Sequence, residues 1–180
     1  MKLLDELILR LPKGATILDA GCGAGVPVAR LLSRQFQVIG VDFAEAQIDL
    51  ARKLVPNARF ECQDMTDLFF PDATFDAICS FYAIIHIPRE THKSILEHFY
   101  RLLKPKGLAL LCLGAEDLEE DVAENYLGAQ MYWSHYDSKK YLDMLANCGF
   151  NISWSRVVTD ASYPEGPGHL FVMVEKPSNL

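Results

Sequence analysis

The sequence is short of the features that define several large classes of protein. It has no C-x-x-C pair, and its five cysteines (Cys22, Cys62, Cys79, Cys112 and Cys148) are odd in number and widely spaced. This argues against a zinc site or a disulfide frame and predicts reduced, mostly buried thiols in a cytoplasmic protein. It is poor in positive charge: 17 Lys and Arg stand against 24 Asp and Glu, a net charge of −7. Such a chain matches a nucleic-acid backbone badly, so no DNA or RNA partner is expected. No apolar run reaches the ~18 residues of a membrane span. Asp5 and Glu6 interrupt any signal-peptide pattern. No membrane partner is expected, and the chain is expected to be a monomer or weak dimer. There is no internal repeat, linker or low-complexity segment. The single Pro/Gly-rich stretch, Ser162 to Gly168, is too short to divide the chain. The sequence therefore predicts one domain over residues 1–180. A chain of this length buries roughly 70% of its unfolded surface and needs no covalent staple.

What is present centres on Ile17-Leu18-Asp19-Ala20-Gly21-Cys22-Gly23-Ala24-Gly25. The pattern reads as a buried strand, a glycine turn and the start of a helix. Glycines at alternate positions let the backbone turn tightly and let a ligand reach main-chain atoms. Val38 to Asp42 gives a second apolar strand ending in an acid. A carboxylate at that tip is how such folds hold the two hydroxyls of a ribose, although Asp42 could also cap the helix that follows.

The rest of the chain repeats the rhythm. Leu3, Leu4, Leu7, Ile8 and Leu11 make one face of a helix at about residues 2–11. Further strands are expected at 58–62, 75–80 and 108–113, with a helix before the first, a loop carrying Asp64, Met65, Asp67 and Pro71 between the first two, and a helix between the last two. The alternation predicts an α/β fold, doubly wound around a mostly parallel sheet. Residues 115–137 change character. Glu116 to Glu124 carries six acids and no base, expected as a solvated helix face, and Tyr126, Tyr132, Trp133, His135 and Tyr136 follow. Ser138 is expected to cap a helix that Gly149 ends, and 150–158 and 169–174 are expected as two last strands.

The pattern Asp19-x-Gly21-x-Gly23-x-Gly25 with Asp42 resembles the Rossmann-like (class I) S-adenosylmethionine-dependent methyltransferases of the small-molecule type. Dinucleotide dehydrogenases space their glycines G-x-G-x-x-G, with the third one residue later. The resemblance runs from about Leu11 to the end. It implies a seven-stranded sheet of order 3-2-1-4-5-7-6 with an antiparallel last strand. It also implies S-adenosylmethionine as cofactor, S-adenosylhomocysteine as product, and a small molecule as methyl acceptor. The turn Gly21-Cys22-Gly23 would carry the methionine part and Asp19 would help hold its ammonium. Asp42 would hold the ribose, while Phe43, Asp64 and Met65 would meet the adenine and Ser80 would border the amino-acid end.

Methyl transfer from a sulfonium needs mainly proximity and orientation, with a base only where the acceptor must lose a proton. In open parallel sheets ligands bind beyond the carboxyl ends of the strands. His86, His135 and His169 reach that edge from three segments and are the catalytic candidates, with Glu116 also at the edge. His92 and His98 are expected as surface or packing residues. Members of this family often carry a longer N-terminal segment over the cofactor, so the expectation is either a shortened chain or a site more open than usual. A cofactor-binding module acting through a partner, and a nicotinamide-dependent oxidoreductase, remain alternatives.

Overall fold

The computed structural model describes residues 2–126, 128–159 and 168–178. The Pro/Gly-rich stretch singled out above lies outside them, apart from Gly168. In chain order the elements are α1 (Lys2–Arg10), β1 (Thr16–Ala20), α2 (Val28–Leu32), β2 (Gln37–Asp42), α3 (Glu45–Leu54), β3 (Arg59–Cys62) and β4 (Phe75–Ser80). They continue with α4 (His92–Leu102), β5 (Leu103–Gly114), β6 (Leu118–Tyr126), β7 (Ala129–His135), α5 (Ser138–Asn147), β8 (Asn151–Val158) and β9 (His169–Glu175).

Alternation along the strands explains why this sheet has helices on both sides. Side chains of successive strand residues point to opposite faces. Ile17, Ala77, Cys79, Leu108, Leu110 and Met173 pack on one face, with Leu4 and Leu7 of α1, Ala29 and Leu32 of α2, and Ile48 and Ala51 of α3. Their neighbours Leu18, Ile78, Ala109, Leu111, Val172 and Val174 pack on the other. There they meet Ile95, Leu96, Phe99 and Leu102 of α4 and Tyr141 and Leu145 of α5. Both faces need apolar cover, so the strands read as continuous apolar runs.

Seven strands form the sheet in the order β3-β2-β1-β4-β5-β9-β8. β1 to β5 run parallel, and β9 lies antiparallel between β5 and β8. The expected order differs only in numbering, because two further strands intervene in sequence. Those two correct the reading of the acidic run. Leu118–Tyr126 is not a helix but a strand, paired antiparallel with Ala129–His135 in a separate two-stranded sheet. Leu118, Val122 and Tyr126 recur every four residues, a spacing a helix and a strand both place on one face, and the aromatic strand after the run supplies the pairing partner that decides it. Its side chains are nevertheless mostly exposed, as expected. Two smaller corrections concern ends. Asp137, not Ser138, caps α5, its carboxylate accepting from the Lys140 N–H at 2.8 Å; the Ser138 hydroxyl donates instead to the Ala115 carbonyl. β5 begins at Leu103 through an irregular register, so Pro105-Lys106-Gly107 lies within it.

His92 is a packing residue of an unusual kind. It is fully buried at the start of α4. Its Nε2–H donates to the Ile87 carbonyl at 2.8 Å, and its Nδ1 accepts from the Tyr141 hydroxyl at 2.7 Å. Burial pushes its pKa below the ordinary histidine value, outweighing the carbonyl that favours the cation. The unfolded chain then binds a proton that the folded chain refuses, so this contribution is complete above the unfolded pKa of about 6.5 and is lost as pH falls below it. Tyr141→Phe strands a buried ring nitrogen. It should cost about 1–3 kcal/mol in urea unfolding at neutral pH, and an unchanged midpoint would refute this account of the pair.

Candidate functional site

The carboxyl ends of β1 and β2 are fastened together by main-chain and carboxylate bonds. The N–H groups of Gly21 and Cys22 both donate to the Val41 carbonyl, at 2.8 and 2.9 Å. One residue on, the Gly23 N–H donates to Asp42 Oδ2 at 2.9 Å, and the Ala44 N–H donates to Oδ1 at 3.0 Å. Asp42 thus locks the glycine turn to the entrance of α3 while each oxygen keeps a further lone pair. The N-cap position of α3 is Ala44, not Asp42; Asp42 secures the backbone from the strand tip and keeps acceptor capacity there.

The two glycines of the turn do different things. Gly21 has φ +76°, and a Cβ there would lie 2.2 Å from the Ala83 Cβ and 3.0 Å from the Met65 Cε. It is a point of close packing between the loops that follow β3 and β4. Gly23 has φ +50°, and a Cβ there would meet only Gln47 Oε1, at 3.9 Å. Its main chain is open to approach. Gly40, which the sequence reading passed over, lets Cys22 and Phe60 close beneath the turn; its added Cβ would lie 2.6 Å from the Phe60 ring and 2.9 Å from the Cys22 Sγ. A glycine inside a strand was the available signal.

Asp19 lies under this turn at 2% exposure. Its carboxyl accepts from the Ala29 N–H of α2, yet Oδ2 has no partner. Burial, with the nearby Asp42 charge adding to it, raises its pKa to about 7 against the Ala29 bond. Ser80 ends β4 fully buried, and its Oγ also lacks a partner. Cys22 is buried against both carboxylates, and desolvation first, then those charges, holds its thiol protonated far above the ordinary value. Asp64 is exposed in the loop after β3. Its Oδ1 accepts from the Thr66 N–H and hydroxyl, both at 2.8 Å, leaving Oδ2 outward. Met65 is buried, while Phe43 and Phe69 stand 80% and 82% exposed on the rim.

The three candidate histidines come from separate elements that meet at the end of β5. His86 sits in a 3-10 turn, Ile84–His86, and its Nδ1–H donates to the Tyr132 carbonyl of β7 at 2.7 Å. Its ring lies 5.7 Å from that of Trp133. The His135 Nδ1–H donates to the Glu116 carbonyl at 2.7 Å. Carbonyls only accept, so in the neutral rings of His86 and His135 the proton sits on Nδ1 and Nε2 carries the lone pair. Gly114 makes the junction: a Cβ there would fall 2.2 Å from His135 Nδ1, and its partner in β9 is His169. Glu116 thus contributes its carbonyl to this rim. The His169 ring meets that of Tyr82 edge-on at 5.0 Å. Tyr82 follows Ser80 just past β4, and its φ of +52° at a bulky aromatic has no sequence signal. His98, on α4, takes no part. Among the described residues no group of His, Cys, Asp or Glu converges as a metal site.

The arrangement offers a glycine turn backed by acids at β1 and β2, and beside it a rim of aromatic and imidazole side chains. The family model described as "Methyltransferase domain" matches residues 17–107, the part that carries the turn, Asp42, Asp64 and His86. A 2-methyl-6-phytyl-1,4-hydroquinone methyltransferase of Synechocystis is 34% identical over 56% of the chain and 32% of its own length. Phosphoethanolamine N-methyltransferase 3 of Arabidopsis thaliana is 32% identical over 79% of the chain and 30% of its own length. The chain thus spans under a third of the second relative and about that share of the first. The crystal structure of a SAM-dependent methyltransferase from Methanosarcina mazei superposes with TM-score 0.83 over 97% of this chain and 98% of that one, at 21% identity.

The contrast between the glycines is testable by urea denaturation. Alanine at either position accepts a left-handed backbone at about 1–2 kcal/mol. Gly21→Ala adds the collision with Ala83, worth about 1–3 kcal/mol more. Equal losses at Gly21 and Gly23 would show that the packing at Gly21 is not tight.

Proposed function

Because the chain belongs to the methyltransferase domain family, we propose that it transfers a methyl group from S-adenosylmethionine to a small-molecule acceptor. The observation that carries this reading is the turn itself. Gly23 leaves its main chain open while Asp42 holds it from below, and Asp19 keeps a buried oxygen without a partner. These features suit a nucleoside with a cationic amino-acid tail. S-adenosylmethionine supplies a methyl group already activated by the sulfonium.

The residues then divide the work. Asp42 accepts from the ribose hydroxyls with its spare lone pairs. Phe43 and Met65 border the adenine, and Asp64 accepts from its amino group. Gly21, Cys22 and Gly23 lie against the methionine portion, with Asp19 and Ser80 at its amino-acid end. His86, His135 and His169 line the acceptor side with Tyr132 and Trp133. A lone pair on Nε2 of His86 or His135 suits either to orient an acceptor hydroxyl or amine and to take its proton. The five unpaired cysteines fit the reducing cytoplasm.

Two measurements check this. In calorimetry S-adenosylhomocysteine should bind and NAD should not. Asp42→Ala should weaken that binding by about 1.5–3 kcal/mol, the range for hydrogen bonds to a charged group; undiminished affinity in a folded variant would sink the assignment. For transfer, a panel containing a hydroquinone and phosphoethanolamine should yield a methylated product. Replacing the histidine that acts as base should lower the rate by about 10²–10⁴ without changing S-adenosylhomocysteine affinity.

A further inference from the structure

Asp19 is the least compensated charge-bearing group in the molecule's core. It is the penultimate residue of β1, beneath the turn that begins at Gly21. Cys79 is its register partner on β4. Cys22 is above it, its thiol pushed up by burial and then by the Asp19 charge; the Cys79 thiol is pushed up in the same way. Asp42 faces it from β2 and α2 presents only the Ala29 N–H. The titratable groups around it are therefore an acid and two protonated thiols. Among the described residues no cation pairs with Asp19, and Oδ2 has no hydrogen-bond partner. A carboxylate in such a place is costly unless a cation or donor meets it.

We propose that Asp19 is a proton-exchange site for the cofactor. The carboxyl is neutral when the site holds no ligand, and the cationic amino-acid end of the ligand displaces its proton to solvent and takes its place. This deepens the function proposed above and rests on it. The step balances: a carboxylic acid and an ammonium become a carboxylate–ammonium pair, and one proton leaves to buffer. The pKa of about 7 puts the exchange within reach of neutral pH. The ligand favours the ionised form, so affinity rises with pH until the free carboxyl ionises by itself, and is flat above that.

The free protein should show the opposite trend in stability. A carboxyl raised from 3.8 to about 7 binds a proton in the folded state that the unfolded chain has released. Stability therefore falls as pH rises between those values and levels off beyond them. Asp19→Asn, which keeps the neutral shape, should lack this slope.

The test is calorimetry of S-adenosylhomocysteine across about pH 5.5–8.5 in buffers of differing ionisation enthalpy, with 5′-methylthioadenosine as a probe lacking the amino-acid end. About one proton should be released at the acid end and almost none at the alkaline end, with affinity rising about tenfold per pH unit below pH 7. Asp19→Asn should lose both the release and the slope, and methylthioadenosine should show neither in the wild type. The same slope in Asp19→Asn would assign it to another group, such as a rim histidine, and overturn the proposal. Binding of S-adenosylhomocysteine without proton release would overturn it while leaving the cofactor assignment standing. No binding at any pH would overturn both.

Discussion

The structure depends on the joint between β1 and β2. Two N–H groups share the Val41 carbonyl and a third takes one oxygen of Asp42, whose other oxygen holds the start of α3. Four donors that would otherwise point into the crevice are satisfied there, so the turn has one conformation. A sharp turn at the end of a buried strand leaves main-chain groups that must find partners. Only glycine allows the close approach of Ala83 and Met65 at Gly21. The joint therefore fixes three loops together, those after β1, β3 and β4, and makes one edge of the sheet a preorganised crevice.

The opposite edge has a matching constraint with no part in the site. The Asp76 carboxylate at the start of β4 accepts from the Thr16 N–H at 2.8 Å and pairs with Lys104 at 2.9 Å. It fastens β1, β4 and β5 where they begin. Between these fastenings lie the two apolar faces, each sealed by helices. Rigidity at both ends lets the crevice carry uncompensated groups, because a packed sheet does not readily relax around them.

The side carrying the hairpin is built differently. The β6–β7 hairpin stands outside the main sheet. It is tied down by His86 donating to Tyr132, by Ser134, which accepts from the Arg89 N–H and donates to the Glu119 carbonyl, and by Arg89 pairing with Asp117 over the Tyr136 ring. These are polar attachments: Ser134 is fully buried, while the Arg89–Asp117 pair opens to solvent on the Asp117 side, where an ion pair contributes little.

The sequence by itself determined the alternating α/β architecture, the glycine turn and the acid at the second strand. These are local patterns: strands buried on both faces must be apolar throughout, and tight turns must use glycine. It also placed His86, His135 and His169 at one edge, because topology fixes which strand ends lie together. Only the tertiary structure decided that the acidic run is a strand. Its apolar residues recur every four positions, which does not separate a helix from a strand, and β7 supplied the pairing that decided it. Tertiary structure alone also put His135 and His169 on either side of Gly114, gave Tyr82 its left-handed backbone, and left Asp19 buried with one oxygen unpartnered. The state of a charge depends on what surrounds it in space, and for Asp19 those neighbours come from β2, β4 and α2, which no local pattern in the chain brings together.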